Sequence, residues 1–546
     1  MSTSINRRTC LRRMAAGAAL AVTGPGSMER KVRAQPVAAG PRAGGEVSVL
    51  VDQPIRGPDG KPAVINPMVH GHFVEHIGGV VYDGIWVGPD SPIPNDGGIR
   101  RSLLESLQRL EPPVYRWPGG CFADKYHWRD GIGPPASRPR RFNRWREAVE
   151  PNTFGTHEFL RFCKLTGAVP YLAANVGTGD PEEFQRWVEY CNAPPGRTSL
   201  ADEREANGQR EPFQVRIWGV GNESWGCGGK FTPEDYCVQY RRFSEWVPSF
   251  GVPLYFIASG PNGNDLDWTR RFMKKWADGS RAPLQAWSPH YYCGTAGTST
   301  EFTADEWFIL LERASRIEKL ITDQWAVLGE FDRGHAIKLA IDEWGCWHPE
   351  DKRLPAEHLF AQYSTLRDAL VAGLTLDAFH RHADKVAMAN VAQLINCLHS
   401  LYMTEGDKLV ETPNYHVFMM YKSHKGGQAL TALVESPTVE FSSGRDRGRM
   451  PVLAGSASRH EKILTLTLTH AGTQAPLEVA VRLKGAAGTP QDAVHLTHAK
   501  LNAVNTAAEP TQIAPKPIEV KTAAGGASHV VVMPPASIVA VRFALT

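Results

Sequence analysis

Between Pro67 and Leu394 the chain alternates short apolar runs with helical patterns, and this alternation constrains the fold more than any other feature. Short runs rich in β-branched and aromatic residues are typical of strands buried on both faces of a parallel sheet. Repeated βα units of this kind predict a (β/α)8 TIM barrel over residues 66–410. The eight strand candidates are Met68–Glu75, Val114–Gly119, Tyr171–Val176, Val215–Glu223, Leu254–Ser259, Ala286–Tyr292, Ile337–Trp344 and Val386–Leu394.

Helical patterns lie between these runs, for example Ile99–Leu110, Pro181–Cys191, Pro233–Trp246 and Leu359–Ala372. A doubly wound open sheet is the alternative architecture, but no glycine-rich phosphate loop follows the first strand. Pro194–Pro212 is predicted to be a polar insertion before the fourth strand.

After about Val410 the pattern changes to a period of two. Lys462–His470 alternates apolar and polar residues, and Leu477–Leu483 and His529–Phe543 look similar. Such alternation predicts antiparallel strands with one buried and one solvent-exposed face. It therefore predicts a C-terminal β-sandwich over residues 411–546. Glu46–Asp52 alternates too, so the segment 46–65 is expected to contribute a strand to this sandwich.

The first 34 residues are predicted to be an export signal. Arg7-Arg8 resembles a twin-arginine motif, and the stretch Met14–Val22 after it is weakly apolar. That stretch is too short to span a bilayer. We therefore expect a periplasmic or secreted protein, the alternative being a basic N-terminus on a cytoplasmic one.

The amino-acid composition argues for some functional classes and against others. Charged residues make up 21% of the 546 residues and hydrophobic residues 42%, which is ordinary for a soluble protein. A net charge of +3, with no Lys/Arg run outside the N-terminus, argues against a nucleic-acid partner. No segment is long and apolar enough for a membrane helix, so no membrane partner is expected. The 15 tryptophans fit a sugar-binding cleft, although core packing uses tryptophan equally well.

Cysteine spacing predicts neither a disulfide scaffold nor a zinc site, because no CxxC pair is present. Most of these cysteines are expected to be buried small apolar residues. Beyond the signal they are Cys121, Cys163, Cys191, Cys227, Cys237, Cys293, Cys346 and Cys397.

The strand candidates Val215–Glu223 and Ile337–Trp344 each carry a glutamate at or near the end. A carboxylate at the C-terminal end of a barrel strand lies on the active-site face. Two such groups, Glu223 and Glu343, are what glycoside hydrolysis requires: an acid/base and a nucleophile or second base. The alternative is that both glutamates cap strands and pair with basic residues.

Six motifs in order resemble the α-L-arabinofuranosidases of glycoside hydrolase family 51. They are Gly71–His76 (GHFVEH), Arg116–Gly120 (RWPGG), Tyr126–Trp128 (YHW), Gly219–Glu223 (GVGNE), His290–Tyr292 (HYY) and Asp342–Trp344 (DEW). The resemblance covers nearly the whole mature chain. It implies a retaining (β/α)8 glycosidase that removes terminal α-L-arabinofuranosyl groups from arabinan, arabinoxylan and related oligosaccharides, with no cofactor. It also implies, by analogy, a possible homo-oligomer.

The resemblance also assigns roles to residues of this chain. Glu223 resembles the general acid/base and Glu343 the nucleophile. Asn222 is expected to hydrogen-bond the sugar hydroxyl next to the anomeric carbon, and Tyr292 to donate to Glu343.

Further residues are expected to bind the sugar or support the pair. Glu75 resembles an acceptor for a substrate hydroxyl, and Arg116 is expected to orient Glu343 or keep it ionised. For both, the alternative is a structural ion pair at the barrel rim. The remaining candidates are His290 beside the nucleophile, Gln393 on the last strand, and Trp347 and Trp145 as walls of the subsite. His290 as a core histidine, and Trp145 as a packing residue, are the alternatives.

One residue departs from the family pattern. Cys121 follows Pro-Gly-Gly, where the family commonly has Asn. A cysteine thiol cannot replace both N–H donors of the asparagine amide. The sequence therefore does not decide whether Cys121 contacts the sugar.

Three rival functions stay open. The first is another retaining glycosidase of the same clan, such as an endoglucanase or xylosidase. The second is a non-catalytic carbohydrate-binding barrel. The third is a metal-dependent hydrolase, suggested by cysteines near strand ends, although no metal is expected from their spacing. These cysteines are Cys121, Cys227, Cys293 and Cys346.

Overall fold

The computed structural model describes residues 44–145, 148–279 and 281–546. The predicted signal, residues 1–34, lies outside the described residues. Within the described ranges, no helix has the length and apolar character needed to cross a membrane.

Eight parallel strands close into a barrel, which confirms the predicted (β/α)8 fold. Each strand pairs with its neighbours in chain order, and the eighth strand closes the ring through Asn390, whose register partner is Gly71. The strands are Gly71–Phe73, Val114–Trp117, Val169–Ala174, Ile217–Val220, Tyr255–Asn262, Ala286–Tyr292, Lys338–Gly345 and Val386–Val391.

Apolar side chains from neighbouring strands fill the barrel interior, as expected for a packed core rather than a pore. Seven strands supply one buried residue each to this cluster: Val114, Tyr171, Ile217, Ile257, Ala286, Ala340 and Met388.

Helices surround the barrel and connect its strands. They are Arg101–Leu110, Thr156–Thr166, Pro181–Asn192, Ser199–Ala206, Pro233–Ser244, Leu266–Ala277, Ala304–Ser315, Ile317–Phe331, Leu366–Arg381 and Pro413–Tyr421. The helix expected at Leu359–Ala372 is wrong in its bounds. Thr365 and Asp368 form a capping box that starts the helix at Leu366, and the helix then runs to Arg381.

The loops contain short hairpins and 3₁₀ turns. Two-stranded hairpins pair Asn95–Asp96 with Ile99–Arg100, Arg141–Asn143 with Ala148–Glu150, Tyr402–Glu405 with Lys408–Glu411, and Thr438–Ser443 with Asp446–Pro451. Single 3₁₀ turns span Pro67–His70, Ala123–Lys125, Trp128–Gly131, Pro135–Ser137 and Lys422–His424.

The predicted C-terminal antiparallel β-domain is confirmed, and its hydrogen bonds join ten strands in one sheet. In sheet order the strands are Lys516–Pro517, Gly488–Leu496, Ser537–Leu545, Ile463–His470, Leu453–His460, Gln428–Glu435, Gly45–Pro54, Leu477–Lys484, Ser528–Met533 and Val520–Thr522. Buried residues from both halves, such as Leu466 and Val479, share one core, so the sheet folds over on itself.

The first strand of the described chain lies within this C-terminal sheet. Gly45–Pro54 pairs antiparallel with Gln428–Glu435 and parallel with Leu477–Lys484. The first and last strands of the described residues therefore belong to one β-domain.

The last barrel helix, Leu366–Arg381, joins the β-domain to the barrel. Its buried Asp377 accepts hydrogen bonds from the hydroxyls of Ser456 at 2.7 Å and Thr467 at 2.8 Å, both on strands of the sheet. Buried polar groups require such partners, so this contact fixes the β-domain on one side of the barrel.

Candidate active site

The carboxyl ends of the barrel strands bring the predicted site residues to one rim of the barrel. Arg116, Tyr292 and Glu343 lie on the second, sixth and seventh strands. Glu75, Glu223 and Gln393 lie just beyond the ends of the first, fourth and eighth strands. The predicted strands were therefore too long at these three ends, because the chain turns before the polar side chains are reached.

Glu223 lies in a tight turn directly after the fourth strand. Its φ of 37° is in the left-handed region, which costs a residue other than glycine on the order of 1–3 kcal/mol. The backbone N–H groups of Gly226 and Gly228 donate to the Glu223 carbonyl at 2.7 and 3.2 Å and hold this turn closed. Strained backbone of this kind is concentrated at functional sites.

Both oxygens of the Glu343 carboxylate are held by donors. Arg116 Nη1 donates to Oε1 at 2.6 Å, and the Tyr292 hydroxyl donates to Oε2 at 2.9 Å. The side chain is 7% exposed. Charge-assisted hydrogen bonds of this length fix a carboxylate in one orientation.

Arg116 connects several parts of the site. Besides Glu343, its guanidinium donates to Asn222 Oδ1 at 2.6 Å and lies 3.3 Å from Asp342 Oδ2. The guanidinium also stacks on the ring of Phe73, 4.6 Å from its centroid. A planar, multidentate arginine therefore fixes the positions of Glu343 and Asn222 relative to each other.

His290 lies between the two predicted catalytic carboxylates. Its Nδ1 is 3.1 Å from Glu223 Oε1 and 3.5 Å from Glu343 Oε2, and its Nε2 is 3.1 Å from Asp342 Oδ1. Burial lowers the pKa of His290, but the charge of Glu343 and hydrogen bonds with Asp342 and Glu223 outweigh this and raise the pKa to about 10. His290 is therefore an imidazolium that donates through both ring nitrogens.

The pKa of Glu223 is raised above its ordinary value. Burial is the largest cause and the nearby charge of Glu343 adds to it, while the hydrogen bond from His290 opposes the rise. A carboxyl group in this environment holds its proton more strongly than one in water. Glu223 is thus suited to donate a proton, whereas Glu343 has both oxygens held in place by donors.

Glu75 lies deeper in the same rim. Its Oε1 accepts from the Phe122 backbone N–H at 2.9 Å and from Trp145 Nε1 at 3.3 Å, and its Oε2 accepts from Gln393 Nε2 at 3.1 Å. Burial, followed by the charge of Glu343, raises the pKa of Glu75 to about 7. The structure therefore brings Trp145 and Gln393 together on Glu75.

Aromatic rings form one wall beside Glu343. Trp347 packs edge-on to Tyr292, with ring centroids 5.2 Å apart, and edge-on to Phe360 at 5.0 Å. Phe360 also meets Trp145 at 5.9 Å. Rings placed next to hydrogen-bonding carboxylates are the usual combination for binding a sugar, whose CH faces pack on them.

The separation of the two carboxylates bears on the reaction. One oxygen of Glu223 and one of Glu343 lie within 4.8 Å of each other, with a ring nitrogen of His290 within the same distance of both. Retaining glycosidases hold their carboxyl groups about 5–5.5 Å apart, whereas inverting enzymes leave about 6.5–9.5 Å for a water. The arrangement can support proton donation and nucleophilic attack on one sugar.

Comparison with known proteins decides the family. Two family models match the chain: the α-L-arabinofuranosidase 1 domain over residues 106–292 and the α-L-arabinofuranosidase C-terminal domain over residues 342–537. An intracellular exo-α-L-arabinofuranosidase from Bacteroides ovatus is 38% identical over 84% of this chain and 88% of its own length. The chain belongs to the α-L-arabinofuranosidases of glycoside hydrolase family 51.

Solved structures of arabinofuranosidases agree with this assignment. The arabinofuranosidase from Xanthomonas axonopodis pv. citri has a TM-score of 0.85 and 37% identity, and the match covers 92% of this chain and 99% of that one. The α-L-arabinofuranosidase from Thermotoga maritima, solved with arabinose, has a TM-score of 0.77 and 29% identity, covering 91% and 99%. The glycoside hydrolase assignment therefore rests on both sequence and fold.

One site in this family 51 hydrolase corrects the sequence analysis. Cys121 and Cys227 form a disulfide, so they are neither free thiols nor simple core residues. The bond joins the loop after the second strand to the loop after the fourth. Cys227 Sγ lies 3.7 Å from Glu223 Oε2 and 3.6 Å from Asn222 Nδ2. Cys121 therefore supports the loop of Glu223 through Cys227.

Sequence reasoning named Asp342 only as part of a motif and missed its role in the site, together with its two hydroxyl partners. Asp342 accepts from the Tyr171 hydroxyl at 2.6 Å and from the Ser288 hydroxyl. Burial raises the pKa of Asp342, but Arg116 and His290 outweigh it and hold the pKa below its ordinary value. The signal for Asp342 was its position directly before Glu343; nothing in the sequence singled out Tyr171 or Ser288.

Proposed function

We propose that this protein is a retaining, exo-acting α-L-arabinofuranosidase that removes terminal α-L-arabinofuranosyl groups by double displacement. Its substrates are arabinan- and arabinoxylan-type polysaccharides and their oligosaccharides. The observation that carries the proposal is the pair Glu223 and Glu343, whose oxygens approach within 4.8 Å while donors hold Glu343 at both oxygens.

In the first step Glu343 attacks the anomeric carbon and Glu223 protonates the departing glycosidic oxygen. The bond between that oxygen and the anomeric carbon breaks as an ester bond from Glu343 forms. The raised pKa of Glu223 supports its part, because a buried acid keeps its proton until the leaving group takes it.

In the second step Glu223, now a carboxylate, removes a proton from water, and the water oxygen displaces Glu343 from the anomeric carbon. Esterification removes the charge of Glu343, which is one of the causes that raise the pKa of Glu223. The pKa of Glu223 therefore falls in the intermediate, which suits its change from acid to base. Two inversions give net retention.

The surrounding residues supply substrate contacts. We assign Asn222, oriented by Arg116, to the sugar hydroxyl next to the anomeric carbon, where contacts strengthen in the transition state. We assign Glu75 to accept a hydrogen bond from a further sugar hydroxyl, and Gln393, which contacts Glu75, to donate one to it. We assign Trp347 and Trp145 to the walls of the sugar subsite.

We further propose that the enzyme acts outside the cytoplasm, on the strength of the twin-arginine pattern at Arg7-Arg8. The Bacteroides ovatus relative is named as intracellular, which applies to that protein.

A substrate panel with product analysis tests the activity. The mature protein is incubated with aryl α-L-arabinofuranosides, aryl xylosides and glucosides, and defined arabinan and arabinoxylan oligosaccharides. We expect release of arabinose only, and nuclear magnetic resonance should show the α-anomer forming first. Preferred cleavage of a xyloside or an internal glucan bond would favour the rival glycosidases, and first formation of the β-anomer would exclude double displacement.

A further inference from the structure

The aromatic wall beside Glu343 is built from two separate loops. Trp145 lies between the two strands of the hairpin after the second barrel strand, whereas Trp347 and Phe360 lie in the long loop between the seventh strand and the last barrel helix. Phe360 joins the two loops, because its ring centroid is 5.0 Å from that of Trp347 and 5.9 Å from that of Trp145. The separation of the two tryptophans therefore depends on where Phe360 is held.

The backbone of Phe360 is strained. Its φ of 59° is in the left-handed region, which is unfavourable for a bulky side chain. Two hydrogen bonds hold this conformation: the Phe360 N–H donates to Glu350 Oε1 at 3.1 Å, and the Leu398 N–H donates to the Phe360 carbonyl at 2.9 Å. Strain of this kind persists only where the surrounding structure over-determines it, and it is concentrated at functional sites.

Two residues before Phe360, the loop is attached to the segment that follows the first strand. His358 Nε2 lies 2.8 Å from Asp83 Oδ2, and the Thr404 hydroxyl donates to the same oxygen at 3.1 Å. Burial raises the pKa of Asp83, but the hydrogen bonds from His358 and Thr404 help to outweigh it and hold the pKa below its ordinary value. An ionised carboxylate only accepts, so His358 donates through Nε2.

The same attachment requires glycine in the segment after the first strand. A Cβ atom at Gly79 would lie 2.3 Å from His358 Cδ2 and 2.6 Å from His358 Nε2. A Cβ atom at Gly78, whose φ is 51°, would lie 2.7 Å from the Leu359 backbone nitrogen. Larger residues at these positions would push the loop away, so His358 and Leu359 pack directly on glycine backbone.

The hairpin that carries Trp145 is attached to this segment as well. Glu150 Oε2, at the end of the hairpin, lies 3.0 Å from His76 Nδ1, and Asn143 Nδ2 donates to the His76 carbonyl at 3.0 Å. Residues 76–83 are thus a common support for both loops. They fix the position of one loop relative to the other, and with it the position of the rings that the loops carry.

We propose that Phe360 is a positioning residue for the sugar subsite, and that the hydrogen bond between His358 and Asp83 holds it in place. This inference rests on the proposed function, because it concerns how the pocket binds the arabinosyl group. Phe360 acts through Trp347 and Trp145, since its ring fills the space between the two indoles. Without that ring the indoles lose their lateral support, and the sugar loses a wall of fixed shape.

The catalytic pair is held by other residues. Glu343 accepts from Arg116 and Tyr292, and Glu223 lies against His290. A change confined to the wall should therefore weaken sugar binding and leave the chemical steps nearly as fast. This pattern differs from that of a residue that supports the fold in general, whose loss lowers the fraction of active protein and so lowers kcat.

Kinetics with 4-nitrophenyl α-L-arabinofuranoside, together with competitive inhibition by L-arabinose, test the role of Phe360. Phe360→Ala and Phe360→Gly should each raise KM and the inhibition constant about tenfold, with kcat within about threefold of the wild type, as expected when uniform binding is lost. Glycine adopts left-handed backbone freely, so Phe360→Gly should unfold in urea no earlier than Phe360→Ala.

Phe441→Ala is the matched control for these variants. Phe441 is 6% exposed against 8% for Phe360, and its ring stacks on Phe308. The control should lose stability and keep both constants. Wild-type KM and inhibition constants in Phe360→Ala and Phe360→Gly, or the same rise in Phe441→Ala, would overturn the positioning role.

Three further variants change the support and leave the wall residues intact. His358→Leu removes the donor to Asp83, and Gly79→Ala presses on the His358 ring, so both should raise the two constants in the same direction as loss of the Phe360 ring. His358→Gln keeps an N–H donor of similar reach and should stay close to the wild type. A similar rise in His358→Gln and His358→Leu, or none in His358→Leu and Gly79→Ala, would overturn the role of this hydrogen bond.

The wild type separates failure of this inference from failure of the proposed function. Wild-type protein that prefers another aryl glycoside over the arabinofuranoside would contradict the proposed function. The same variants are then compared on the preferred glycoside, with its free sugar as the inhibitor. The wall is expected to affect KM and the inhibition constant there too, and wild-type constants in both Phe360 variants would again overturn the inference.

Discussion

Glu343 and Glu223 differ in how their oxygens are held, and this difference supports the roles proposed for them. Glu343 accepts from a guanidinium and a phenol, so its carboxylate is held in one orientation. The Glu223 carboxyl group lies against His290 and the sulfur of Cys227, in a buried position that raises its pKa. Two chemically identical side chains thus lie in environments that suit the proposed nucleophile and the proposed acid.

The nucleophile assignment predicts chemical rescue. Glu343→Ala should lose activity by at least about 10³-fold on every arabinofuranoside, the scale seen when a covalent nucleophile is removed. Azide should restore part of the activity with an aryl substrate, because a small anion fits the vacated space and attacks from the same face. The product should be the β-arabinofuranosyl azide, identified by nuclear magnetic resonance. Near-normal rates without azide would refute the assignment.

His290 sets the alkaline side of the pH profile. Its imidazolium, with a pKa of about 10, lowers the pKa of Glu223. Activity falls as pH rises through the pKa of Glu223, because the acid is then deprotonated. In His290→Gln that lowering is lost, so the alkaline limb of kcat/KM should move to higher pH. The measurement is kcat/KM against pH on a natural oligosaccharide; an unchanged or downward-shifted limb would contradict this role.

At the scale of elements, the loops after the second and fourth strands are joined by the bond between Cys121 and Cys227, 106 residues apart in sequence. Closing so long a loop restricts the unfolded chain, worth about 2–5 kcal/mol. The bond also fixes Cys227 against Glu223 and Asn222.

Breaking this bond should therefore affect both stability and turnover. The double variant Cys121→Ser, Cys227→Ser should lose about 2–4 kcal/mol of unfolding free energy in urea and show a lower kcat. Dithiothreitol should lower the unfolding free energy and the kcat of the wild type, and should leave both values of the double variant unchanged. Equal stability and kcat in both proteins would show that the bond is dispensable.

The barrel strands were predictable because strands buried on both faces are continuous apolar runs, and all eight were found. Their ends were not, since Glu75 and Glu223 lie in turns that follow the strands directly. The start of the helix at Leu366 depends on the Thr365–Asp368 capping box rather than on the apolar residues before it. The disulfide and the roles of Tyr171 and Ser288 depend on contacts between distant segments, which spacing along one chain does not show.

At the scale of the whole molecule, barrel and β-domain form one compact unit over residues 44–546. The predicted signal, residues 1–34, is not among the described residues. We expect the mature enzyme in the periplasm or medium, and Arg7→Lys with Arg8→Lys should retain it in the cytoplasm. Cell fractionation with N-terminal sequencing measures this. Active cytoplasmic enzyme with its full N-terminus in the wild type would refute export.

The covalent intermediate is the central claim, and Glu223→Ala exposes it most directly. Without its acid the enzyme should still transfer arabinosyl from a nitrophenyl arabinofuranoside, whose leaving group is a weak base, far better than from natural oligosaccharides. Without its base, the second step should be slow, giving a burst of nitrophenol and an adduct of one arabinosyl group on the intact protein. Peptide mapping by mass spectrometry should place that adduct on Glu343. Equal losses on both substrate types with no adduct, or an adduct on another residue, would contradict the mechanism.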